Sequence, residues 1–169
     1  MTDLNGDGRS ESTNERADRN WNEILQELRV AQTGTQILGG FLLALAFQPR
    51  FQDLDRFQLT LYLVLVALAG IAAVLGLAPV TLHRTFFGKG RKPDIVRLGG
   101  RLLSADLVVL ALLAAGVTAL VFDFAVGRSA GLITLAIGGV VVVGVWAVLP
   151  RHAFRRGSTP DPRGPGDDE

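Results

Sequence analysis

Apolar residues in this chain fall into four long runs separated by polar stretches, and the spacing of those runs predicts a helical protein built across a lipid bilayer. Three of the runs, residues 59–82, 102–122 and 130–149, meet the length of roughly 20 residues that a helix needs to span the hydrocarbon layer. The first run, about 30–48, is weaker, because Gln32, Thr33, Thr35 and Gln36 occupy its first half and leave only Ile37 to Phe47 strictly apolar. Its polar half must therefore face protein or the interface.

Ahead of that run, Trp21, Ile24, Leu25 and Leu28 recur at helical spacing opposite Glu23, Gln26 and Glu27, with Asn20 placed to cap the helix and Glu23 three residues on. Such a pattern predicts an amphipathic helix over 20–29 lying on the membrane surface. Residues 1–19 are too polar to offset the entropy of ordering and are expected to be a disordered tail. The same holds for the end of the chain, where 151–169 is first basic and then rich in Pro, Gly and acid. Between the second and third runs, 83–101 reads as a loop in which Gly88, Gly90 and Pro93 stop one helix and Pro93 with Asp94 opens the next. The expected fold class is all-α and polytopic: four transmembrane helices in two antiparallel hairpins, preceded by the interfacial helix, with the membrane domain over 20–150.

Composition sharpens this picture. A 49% hydrophobic content and a mean hydropathy of +0.33 are too apolar for an ordinary soluble domain of 169 residues. The chain has no cysteine, which removes disulfides, thiolate metal sites and thiol nucleophiles together. Of 17 Lys and Arg residues, fourteen fall in the N-terminal segment through Arg29, the 83–101 loop and the C-terminal segment, so these three are expected on the cytoplasmic side of a bacterial plasma membrane. Aromatic residues gather at both expected boundaries, and only Phe41 is placed clearly in the middle.

Candidate chemistry is sparse. No charged residue falls in the central turns of any run; Asp106 comes closest, about one turn inside the expected cytoplasmic boundary and within a helical turn or two of Arg101. A boundary carboxylate satisfied by a neighbour is the first expectation for it, and a proton or cation site the second. Gln26, Arg29, Thr33, Gln36, Gly40 and Ala44 recur at steps of three and four and so share one face of the first helix. In lipid a face of amides and small residues must meet another helix or line a path; Ala111, Ala115 and Ala119, or Ala72 with Gly76, are candidate partners of the same small type. Lys89, Arg91, Lys92, Arg97 and Arg101 are expected to contact anionic headgroups. Gly88-Lys89-Gly90 lacks the rest of a phosphate loop, and no soluble domain displays the cations to nucleic acid. His83 and His152 stand at expected helix ends, where a cation suits the helix dipole. No metal or cofactor is expected, and no nucleophile, carboxylate pair or ligand cluster points to an enzyme.

The stretch from Asn22 to Leu38 (NEILQELRVAQTGTQIL), together with Asp53 to Tyr62, Ala78-Pro79-Val80 through His83-Arg84, and Gly90-Arg91-Lys92 through Arg101, resembles a family of small four-helix bacterial membrane proteins of unknown function. The likeness covers about residues 20–150. Some members carry a sodium:proton antiporter label, so the resemblance implies an ion-transport alternative without naming any functional residue. Known antiporter architectures use many more helices and buried midplane acids, and a four-helix protomer would need an oligomer to assemble such a path. The leading expectation is a non-enzymatic membrane interaction or accessory protein that self-associates or docks to a larger complex. The alternative is a small oligomeric ion or proton transporter using Gln32, Gln36 and Asp106.

Overall fold

Backbone amides removed from water must be bonded within their own segment, so a chain with long apolar runs and no turn signals inside them folds as helices. The computed structural model describes residues 13–86 and 92–155, and these form four helices: α1 (Thr13–Leu45), α2 (Arg56–Phe86), α3 (Lys92–Ala125) and α4 (Arg128–Arg155). A short 3-10 turn, Pro49–Asp53, joins α1 to α2. Within α2, α3 and α4 the stretches Arg56–Leu82, Ile95–Ala125 and Arg128–Ala147 are long and apolar enough to cross a membrane, an arrangement compatible with a multi-pass membrane protein.

α1 differs from the sequence expectation. It runs unbroken for 33 residues, so the interfacial helix and the first run are one element, and Asn20 lies inside it and caps nothing. Its start at Thr13 also takes in seven residues expected in the disordered tail. Glu15 in the first turn complements the helix dipole, and Arg19 pairs with Glu23 one turn on at 3.2 Å, so local charge supports helix where apolar content does not. Trp21 then anchors this end by packing against Gly99, where an added Cβ would stand 2.8 Å from the indole. The remainder of the N-terminal tail and the tail from 156 onward lie outside the described residues.

Contacts fix the relative directions. Trp21 meets Gly99 and Gly34 meets Leu110, so α1 and α3 run parallel; Gln32 meets Gly76 and Tyr62 donates to the Leu42 carbonyl at 3.1 Å, so α1 and α2 are antiparallel. α3 packs against all three other helices, while α4 leans chiefly on α3. The core is therefore the α1–α2–α3 seam, filled by Leu42, Tyr62, Leu65, Leu113, Val117 and Leu120, with α4 as an outer helix. Small residues let the helices approach closely along this seam. Gly116 receives Leu65, and Gly138 lies so near Ala115 that a Cβ there would stand 2.7 Å from the alanine methyl. Ala115 thus serves α4, Ala72 is buried, and Gly76 receives Gln32 and not a residue of the polar stripe.

Candidate functional site

The six residues of the α1 stripe, Gln26, Arg29, Thr33, Gln36, Gly40 and Ala44, are all exposed. The opposite face of α1 builds the core through Trp21, Leu28, Ala31, Thr35 and Leu42. The structure thus brings the stripe together as one continuous face and leaves it uncovered by the chain's own helices. Beside it runs a groove of about 480 Å³ between α1 and α2, walled by Gln36, Gly39, Gly40, Leu43, Gly70 and Ala73 and reaching Thr35. Thr33, Thr60, Thr81 and Thr118 each donate to the carbonyl four residues back, as hydroxyls in helices commonly do. Thr35 is buried and its hydroxyl has no partner.

Asp106 departs from its first expectation. It is fully buried on the inward face of α3, and neither carboxyl oxygen has a hydrogen-bond partner among the described residues, while Arg101 is exposed. A boundary carboxylate satisfied by Arg101 is ruled out by that geometry: five residues carry the chain about 140° around a helix, so the two side chains leave α3 on different faces. An uncompensated carboxylate in such a place costs several kcal/mol. Pro79 is fully buried inside α2, and having no N–H it leaves the carbonyl of Leu75 without its usual donor. Gln32 of α1 donates to the adjacent Gly76 carbonyl at 3.1 Å.

At the opposite end of the bundle four residues close a ring that the sequence analysis did not assemble. Asp55 caps α2 by accepting from the backbone N–H groups of Phe57 and Gln58 at 2.8 and 2.9 Å, and the Gln58 side chain returns the bond to the Asp55 N–H at 3.1 Å. That is a reciprocal capping box, readable in the order Asp55-Arg56-Phe57-Gln58. Gln58 Nε2 also donates to the buried Asp123 at 2.6 Å, Asp123 pairs with Arg128 at 3.1 Å, and Arg128 bonds back to Asp55. The Arg128 guanidinium stacks 4.0 Å over the Phe57 ring. The Gln58 backbone N–H, with Arg128 and the Phe57 N–H adding to it, holds the Asp55 carboxyl below its ordinary value of 3.8. Gly127, at φ +130°, makes the two-residue turn that brings Arg128 round to Asp123, and Gly131 lets α4 approach the Asp123 backbone.

Of the basic loop, Arg97 and Arg101 are exposed at the start of α3; Lys89 and Arg91 lie outside the described residues, as do the side chains of Lys92, His83 and His152. Among the described residues no cluster of His, Asp and Glu could hold a metal ion.

Helices of this length and apolarity, packed through glycines, are compatible with a multi-pass membrane protein. The chain belongs to the DUF6328 family of unknown function, whose family model matches residues 10–150. No curated protein and no solved structure matches it.

Proposed function

We propose that the protein is a non-enzymatic membrane interaction or accessory subunit that self-associates or docks to a larger membrane complex through the exposed face of α1. The observation that carries this reading is the division of α1 into two faces, one consumed by the core and one, with Gln26, Arg29, Thr33, Gln36, Gly40 and Ala44, left uncovered. Amides facing hydrocarbon find no partner there, and small residues admit a second helix closely, so a helix from another chain is the natural cover. The reading takes α1 as a fourth crossing from about residue 30, since its second half lies against α2 and α3 at the level of the core. It also takes the fourteen cations of the termini and the 83–101 loop as cytoplasmic, which sets the protein in a bacterial plasma membrane with both ends inside.

The test is the mass of the protein extracted in mild detergent or native lipid particles. Gln36→Leu combined with Gly40→Leu is expected to convert the assembly to monomer or to strip it of its partner. An assembly of unchanged mass in that double variant would remove the α1 face from the role. The second reading, an oligomeric ion or proton transporter, has in its favour the buried carboxyl of Asp106; Gln32, one of its supposed path residues, is committed to the α2 backbone.

A further inference from the structure

We propose that Asp106 and the α2 backbone opened by Pro79 form a binding site for one small monovalent cation, a proton or an alkali ion, in the α1–α2–α3 seam. The site stands apart from the α1 face, and its failure would leave that reading intact. Gly99, Leu103, Asp106, Leu113 and Val117 line the buried face of α3, with Trp21 against Gly99 and Gly34 against Leu110 fixing the height of α1 beside it. Asp106 precedes Leu110 by one turn, about 6 Å along the axis, and Pro79 follows Gly76 by three residues, about 4.5 Å on. Since Gln32 joins Gly76 just below the Gly34 level, these rises put Asp106, Pro79 and the Leu75 carbonyl within about one helical turn of one another along the bundle axis.

That layer is richer in acceptors than in donors. Among the described residues the two Asp106 oxygens have no partner, the Leu75 carbonyl receives no N–H from position 79, and the Gln32 amide gives an N–H to Gly76. Acceptors in excess of donors call for a positive centre, and a single carboxylate balances a single positive charge, which selects a monovalent ion. The charged groups around the layer do not supply it. On α1 Glu27 and Arg29 are exposed, on α3 Arg97 and Arg101 are exposed, and on α2 Arg84 is exposed. The side chains of His83 on α2 and of Arg151 and His152 on α4 lie outside the described residues.

The experiment uses the full chain in lipid nanodiscs. Infrared spectra at neutral pH report protonated carboxylic acids, and thermal unfolding is compared in sodium, potassium, lithium and choline chloride at equal ionic strength. A proton as ligand gives a protonated-acid band in the wild type that is lost in Asp106→Asn, with unfolding indifferent to the cation. An alkali ion gives a midpoint several degrees higher in one alkali salt than in choline, and Asp106→Asn erases the difference. Pro79→Ala returns an N–H to the Leu75 carbonyl and is expected to shift the acid band or to shrink the salt effect. A wild type with neither the band nor a cation-dependent midpoint overturns the proposal, and that result needs no variant to fold.

Discussion

Asp55 stands outside the apolar stretches, and its chemistry can be followed in water. Its carboxyl is held below its ordinary value first by the Gln58 backbone N–H, so the folded value lies under the unfolded one. A group shifted that way contributes its stability in full above the unfolded value and loses it as pH falls through the folded value. Acidification from about pH 5 to below pH 3 is therefore expected to fray the first turn of α2, an interval set by the ordinary carboxylate range. Hydrogen exchange at the Phe57 and Gln58 amides, corrected for intrinsic rates, should show protection falling across that interval in the wild type and a flatter profile in Asp55→Asn. Equal profiles would mean that Asp55 does not govern this turn. The capping box was legible in the sequence, since Asp55 and Gln58 stand at the right spacing before an apolar run. The rest of the ring was not, because nothing in a linear pattern says that Asp123 and Arg128, some 70 residues on, come to the same end at the same height. Asp106 shows the converse. The angle that separates it from Arg101 was legible, but its full burial, three turns into an apolar stretch that begins at Ile95, depends on which faces α1 and α2 turn toward it.

Helix α4 meets α3 through glycine, and two adjacent glycines separate packing from propensity. Gly138 lies against Ala115, where a Cβ would stand 2.7 Å from the methyl, whereas Gly139 has open space around it. Gly138→Ala must push α4 off α3 and is expected to destabilise by about 1–3 kcal/mol, the usual range for forced overpacking. Gly139→Ala is expected to be neutral or stabilising by up to about 1 kcal/mol, because alanine has the better helix propensity. Thermal unfolding of both variants in the same detergent checks the ordering, and a Gly138 variant as stable as the Gly139 one would mean that α4 does not sit this close to α3. Element existence was legible throughout: each apolar run became a helix, and the turn between α3 and α4 fell where Gly127 allows it. What the pattern misjudged was α1. An interfacial helix and a span with no breaker between them are one helix by local propensity. Apolar content, which sets where ordering begins to be favourable, placed the start too late because Arg19, Glu23 and Trp21 supply charge pairing and an anchor on Gly99 that composition does not count.

At the scale of the molecule the open question is how many times the chain crosses the bilayer, and the answer decides what the exposed face of α1 touches. Three stretches have the length and apolarity to span by themselves; α1 lacks the apolarity and qualifies only through its packing on α2 and α3. The two arrangements differ in where the N-terminus lies. With four crossings, positions before α1 share a side with the α2–α3 loop, and the 3-10 turn after α1 lies opposite with the α3–α4 turn. With three, positions before α1 share a side with the 3-10 turn. Because the chain has no cysteine, single substitutions Ser10→Cys, Gln52→Cys, Lys89→Cys and Ser129→Cys each give one labelling site. A membrane-impermeant maleimide added to intact cells is expected to label positions 52 and 129 and to spare 10 and 89, following the rule that cations stay inside. Labelling of 10 along with 52 and 129 would put α1 on the outer surface, with Gln26, Arg29, Thr33 and Gln36 facing water. Their exposure would then need no partner, and the proposed docking role would lose its physical basis. Labelling of 52 and 129 alone would instead hold Gln36 within the hydrocarbon layer, where an unpaired amide is costly and a second helix across α1 becomes the arrangement that satisfies it.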